Sequence, residues 1–123
     1  MTKTLKIWHR FVESPSAELL DEILADDCTF HSPFVWKPKA GKAMTSHILL
    51  TVTGVFEDFR YVREIIGDGN ACLEFEARVD DLTLRGVDLM SFGDDGRIVD
   101  FEVMIRPANA LIRIGEEMGR RLG

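Results

Sequence analysis

The chain has 123 residues, 46% of them hydrophobic, which suits one domain (1–123) with a single sizeable core. A net charge of -6 and the lack of a basic stripe argue against a nucleic-acid partner. No apolar run approaches the length of a membrane span, and the two cysteines, Cys28 and Cys72, lie far apart with no CxxC pair and no signal peptide. Buried free thiols in a reducing cytoplasm are the expectation.

Leu5, Trp8, Phe11 and Val12 recur at helical spacing, so 3–13 reads as an amphipathic helix. Ser14-Pro15 reads as the N-cap and first residue of a second helix, with Leu19, Leu20, Ile23 and Leu24 apolar and Asp26-Asp27 ending it. The stretch from Cys28 to Gly41 follows. It holds His31, a Ser32-Pro33 step and the aromatics Phe30, Phe34 and Trp36. Pro33 and Pro38 remove backbone donors, so the segment reads as a strand running into an ordered loop beside an apolar cavity. Gly41 opens a third helix, with Met44, Ile48 and Leu49 as its expected buried set.

The periodicity then changes. Residues 59–66 are β-rich, 67–70 form a turn, and Leu73, Phe75, Ala77 and Val79 alternate with Glu74, Glu76 and Arg78. Asp80-Asp81 turns the chain into 82–92, and Gly93-Asp94-Asp95-Gly96 is a hairpin signal leading to 97–106. Pro107 stops the sheet and can begin a last helix, with Leu111, Ile114 and Met118 on one face. Helices followed by an antiparallel meander make an α+β fold, and a curved sheet closed by helices encloses a cone-shaped hollow.

Alternation from Leu82 places Leu84, Gly86, Asp88, Met90 and Phe92 on one face. A lone carboxylate on such a face should have a raised pKa and can act as acid, base or hydrogen-bond donor; the competing role is a structural acid satisfied by neighbouring donors. His31 and Ser32 point to opposite faces of a strand, so both line one cavity only if the loop twists. His31 would be the natural base if turned inward. His47 sits on the polar side of the third helix and His9 beside Trp8, and three scattered histidines make no metal signal. No cofactor is called for.

The runs L-A-D-D-C-T-F-H-S-P and G-V-D-L-M-S-F-G-D-D-G-R-I, with the spacing from Ser32-Pro33 to Gly41, resemble the nuclear transport factor 2-like superfamily. Its SnoaL-like proteins and ketosteroid isomerases are the nearest in kind, and the resemblance covers nearly the whole chain. It implies the cone-shaped NTF2-like fold, and an inner face carrying Cys28, Phe30 and Ser32. The isomerases pair an Asp base with a Tyr and a protonated Asp that form an oxyanion hole. Their protonated acid falls on Asp88, their base on Ser32, and their oxyanion tyrosine on Phe11. Serine cannot take a carbon-bound proton unaided and phenylalanine donates no hydrogen bond, so steroid isomerisation by that chemistry is not expected.

The resemblance therefore implies an apolar pocket with altered chemistry. Asp88 is the first catalytic candidate, assisted by Ser32 or His31, and Phe11, Phe30, Phe34, Trp36, Phe59, Phe75, Met90 and Phe101 are candidates for the wall. A small apolar or polycyclic ligand is the expected partner. Two non-catalytic readings stand beside the enzyme: a hydrophobic-ligand-binding module, and a dimerisation domain whose hollow is filled by Phe and Met. Val87, Leu89 and Met104, with Arg85, Glu102 and Arg106, would form an outer sheet face suited to a homodimer, as in many members of this superfamily.

Overall fold

One six-stranded sheet, in the order β2-β1-β6-β5-β4-β3, organises the chain. The computed structural model describes residues 2–123. The elements are α1 (Thr2–Glu13), α2 (Ala17–Ile23), β1 (Leu24–His31), β2 (Lys39–Ala40), α3 (Lys42–Thr53), β3 (Glu57–Ile66), β4 (Asn70–Val79), β5 (Leu82–Phe92), β6 (Ile98–Arg106) and α4 (Ala108–Leu122). The meander β3 to β6 is antiparallel, as its hairpin turns require. β1 adds to β6 in parallel, so the complete sheet is mixed.

Local chemistry places the elements. The Ser14 N–H is spent closing α1 on the Arg10 carbonyl. The cap of α2 is Ser16 rather than the expected Ser14, and its Oγ accepts from the Leu19 N–H at 3.3 Å. Leu20 and Ile23 of this helix are buried, as their spacing predicts. Asp26 and Asp27, expected to end this helix, lie within β1 where its pairing with β6 is irregular, and both are exposed. The Lys42 ammonium holds Asp26 and Asp21 at 3.4 and 3.0 Å.

In α3 the buried face is Thr45, Ile48 and Leu49, a set spaced i, i+3, i+4. Met44, expected there, lies on the flank and is 46% exposed. Thr45 is tolerated in the core because its hydroxyl donates to the Gly41 carbonyl at 2.9 Å.

The inner sheet face and the helices share one core. β4 alternates buried Ala71, Leu73, Phe75, Ala77 and Val79 with half-buried outer residues. Phe75 sits opposite Gly86, where an added Cβ would stand 2.4 Å from Phe75 Cζ and 2.5 Å from the Met104 carbonyl oxygen. Glycine at 86 thus lets the Phe75 ring lie across β5. Phe11, Phe75 and Phe101 are almost fully buried, each contributing on the order of 2–3 kcal/mol. Cys28 is buried, whereas Cys72, on the outer face, is only half-covered; both are free. No helix among the described residues is long and apolar enough to cross a membrane.

Candidate active site

The hollow between sheet and helices remains open as a cavity of about 320 Å³. Its wall is largely apolar: Trp8, Phe11 and Val12 of α1, Phe30 of β1, Ile48, Leu49 and Val52 of α3, Phe56 and Phe59, and Val103 and Ile105 of β6. Helix α4 closes one side with Gly115, Met118, Gly119 and Leu122. An added Cβ on Gly115 would stand 3.1 Å from Phe34 Cδ1, so glycine lets the loop ring lie against the helix. The open volume contradicts the filled-hollow reading.

Asp88 of β5 lines this cavity and is 6% exposed. Its Oδ2 accepts a hydrogen bond from the Tyr61 hydroxyl at 2.5 Å. Tyr61 in turn accepts from the Trp8 indole N–H at 2.8 Å. The order of donors, Trp8 to Tyr61 to Asp88, commits the Tyr61 proton to the carboxyl. No buried side-chain polar atom among the described residues lacks a partner, and Asp88 Oδ1 makes no hydrogen bond, so Oδ1 faces the cavity.

Burial pushes Asp88 from its ordinary 3.8 up to about 7, against the pull of the Tyr61 hydroxyl, which favours the carboxylate. Burial first, and then the adjacent Asp88 charge, raise Tyr61 well above its usual value. The tyrosine therefore remains a donor while the carboxyl exchanges protons near neutrality.

The sequence candidates divide by face. Ser32 lines the cavity, and its Oγ accepts the Phe34 N–H at 3.0 Å. Phe11, Phe30, Phe34 and Phe59 also line it. His31 does not: it leaves β1 on the opposite face from Phe30, and its Nε2 lies 2.8 Å from Asp100 Oδ1. Its candidacy as a pocket base falls on that geometry. Trp36 also leaves the set, because the loop carries it outward to 97% exposure. Phe75, Met90 and Phe101 face inward yet lie in the packed layer behind the wall; the Phe59 ring stacks on Phe75 at 4.8 Å.

Trp8, Tyr61 and Lys39 were not among the candidates. Tyr61 is the chain's single tyrosine and alternates with Phe59, a signal available in the sequence. Its reach to Asp88 was not, because the two stand on strands separated by β4. The pairs Tyr61–Phe75 and Leu73–Asp88 set them diagonally across it, beside an irregularity in β3. Lys39 lies on a two-residue strand, too short to show any alternation. Among the described residues no group of three or more His, Cys, Asp or Glu is placed to hold a metal ion.

No protein-family model matches the sequence, and no curated protein does. Solved structures do. A steroid delta-isomerase from Pseudomonas aeruginosa is 49% identical, with a TM-score of 0.95 over 98% of this chain and 90% of that one. An uncharacterized protein conserved in bacteria with a cystatin-like fold, from Silicibacter pomeroyi, is 31% identical, with a TM-score of 0.92 over 97% and 84%. A candidate SnoaL-like polyketide cyclase from Jannaschia sp. is 8% identical, with a TM-score of 0.73 over 95% and 92%, and shares the fold alone. From this likeness, above all the 49% identity over nearly its full length, the chain belongs to the nuclear transport factor 2-like superfamily, among its ketosteroid isomerase-related proteins.

Proposed function

We propose that the chain is a small-molecule enzyme of isomerase or cyclase type, acting on a hydrophobic carbonyl compound with Asp88 as acid–base and oxyanion-stabilising group. The observation that carries this reading is the Asp88 carboxyl at the wall of an apolar cavity, held by Tyr61 at 2.5 Å with one oxygen turned to the open space. In its neutral form Asp88 donates from Oδ1 to a substrate carbonyl, strengthening that bond as negative charge develops on the oxygen. When the proton passes to that oxygen, the Tyr61 hydroxyl stabilises the carboxylate left behind, and this carboxylate takes the proton from the carbon beside the carbonyl, leaving the enol and restoring the acid. A carboxyl with a pKa of about 7 can give and retake the same proton at neutral pH.

The cavity-lining residues include no second carboxylate and no histidine. One shuttling acid therefore suits proton migration beside a carbonyl, or acid-assisted ring closure. The designation of the 49%-identical Pseudomonas protein supports a polycyclic ketone as substrate class. Ser32 and Phe11, standing where the isomerases carry base and tyrosine, support a different division of labour, centred on Asp88 and Tyr61.

The test is deuterium uptake from heavy water into a panel of decalones and Δ5-3-ketosteroids, followed by NMR. Wild type should accelerate exchange and Asp88→Asn should lower the rate by roughly 100-fold or more. Binding of the same ketones without exchange, unaffected by Asp88→Asn, would instead make the chain a non-catalytic ligand-binding module. The two free thiols support a cytoplasmic location. Pairing of two copies through the outer sheet face is supported by Ile65, Cys72 and Leu89 in one cross-strand row and Val87 and Met104 in the next.

A further inference from the structure

Five residues with polar side chains line the cavity, and the hydrogen bonds that three of them make decide which are free for a ligand. The lining set holds Trp8, Ser32, Lys39, Thr53 and Asp88. Trp8 is committed to Tyr61, and the Thr53 hydroxyl donates to the Leu50 carbonyl at 2.7 Å. The Ser32 Oγ accepts from Phe34 N–H, which leaves its own proton to donate. Lys39 is opposite Phe30 in the β1–β2 pair, so both side chains leave the sheet on the cavity side.

Among the described residues no carboxylate lies within ion-pair distance of Lys39, although Lys42, three residues on, is held by two. Lys39 is half-buried as a residue and lines an apolar wall, so its charge stands at the cavity without a counter-charge from the chain. The cavity thus has two polar ends. Asp88 is on β5, Lys39 is on β2 three strand spacings away, and Ser32 follows the end of β1, two spacings away.

We propose that Lys39, with the Ser32 hydroxyl, is an anion-binding end of the cavity, and that the substrate is an amphipathic keto acid. Its carbonyl meets Asp88, its hydrocarbon body fills the apolar wall, and its carboxylate meets Lys39. This assignment rests on the reading of the cavity as a substrate site, and it gives Ser32 a binding role where the isomerases carry a base.

The probes are 6-hydroxy-2-naphthoate, whose phenol imitates an enol, and its methyl ester, which is matched in shape but uncharged. Binding is followed by quenching of Trp8 fluorescence, with Trp36 changed to Phe to remove the exposed indole. The acid should bind at least tenfold more tightly than the ester, with the preference shrinking as salt rises. Lys39→Met should abolish the preference for acid over ester; Lys39→Arg should retain it. Equal binding of acid and ester to a protein that does exchange deuterium into ketones overturns this assignment alone. Failure of both probes to bind overturns it together with the substrate-site reading.

Discussion

Replacing Asp88 by Asn should remove a pH dependence of stability in a window set by the buried carboxyl. Asn keeps the shape and the acceptor for the Tyr61 hydroxyl but cannot ionise. In the unfolded chain Asp88 ionises near its ordinary 3.8, and in the folded chain only near 7, so between these values the native state binds the extra proton. Stability supplied by this group is therefore complete below about pH 4, and is lost as pH rises towards and through 7. Roughly 3 pH units at about 1.4 kcal/mol each give a loss on the order of 4 kcal/mol. Asp88 is 6% exposed, so little of this is screened by solvent. Urea unfolding of wild type and Asp88→Asn at half-unit intervals from pH 4 to 8 isolates the effect, because every other titrating group cancels in the difference. The two proteins should be within about 1 kcal/mol of each other at pH 4. At pH 8 the Asn variant should be more stable by about 4 kcal/mol. Parallel curves would refute the reasoning, since they would mean that Asp88 ionises alike in both states.

Tyr61→Phe removes the one group that holds Asp88 down, so the Asp88 pKa should rise above 7 and the unstable window should move to higher pH. It also leaves the Trp8 indole N–H unpaired, and a stability loss of about 1–3 kcal/mol at pH 5 is expected by urea titration. Gly86→Ala drives a methyl into Phe75 and the Met104 carbonyl and should cost about 1–3 kcal/mol by the same measurement. Leu89→Lys, in the outer row with Ile65 and Cys72, should convert a dimer to monomer in sedimentation while leaving ketone exchange per chain unchanged. A wild type that sediments as a monomer would remove the proposed pairing.

Much of the architecture was written in local pattern. The alternation of β4 and β5, the turns at 67–70, 80–81 and 93–96 and the apolar stripes of α1 and α4 each depend on neighbours a few residues away, and these elements stand where their periodicities put them. Asp88 was legible for the same reason: a carboxylate in step with Leu84, Gly86 and Met90 has only one face to occupy. Strand alternation sets Ser32 and His31 on opposite faces although both were offered as catalytic candidates; Ser32 lines the cavity and His31 turns towards Asp100.

What periodicity cannot supply is depth. It tells inside from outside, not cavity wall from packed layer, so Phe75, Met90 and Phe101 read like Phe11 and Phe59 although they lie behind them. Nor does it give contacts across the sheet. The Tyr61–Asp88 bond joins residues 27 apart through the pairing of three strands, and the Trp8–Tyr61 bond needs α1 laid over that face. The Lys39 end of the cavity depends on two residues returning to pair with β1 after a proline-broken loop. The sequence by itself determined most of the elements, most of their faces and one acid; only the tertiary structure decided which distant side chain donates to that acid, because burial and hydrogen bonding are properties of the assembled space.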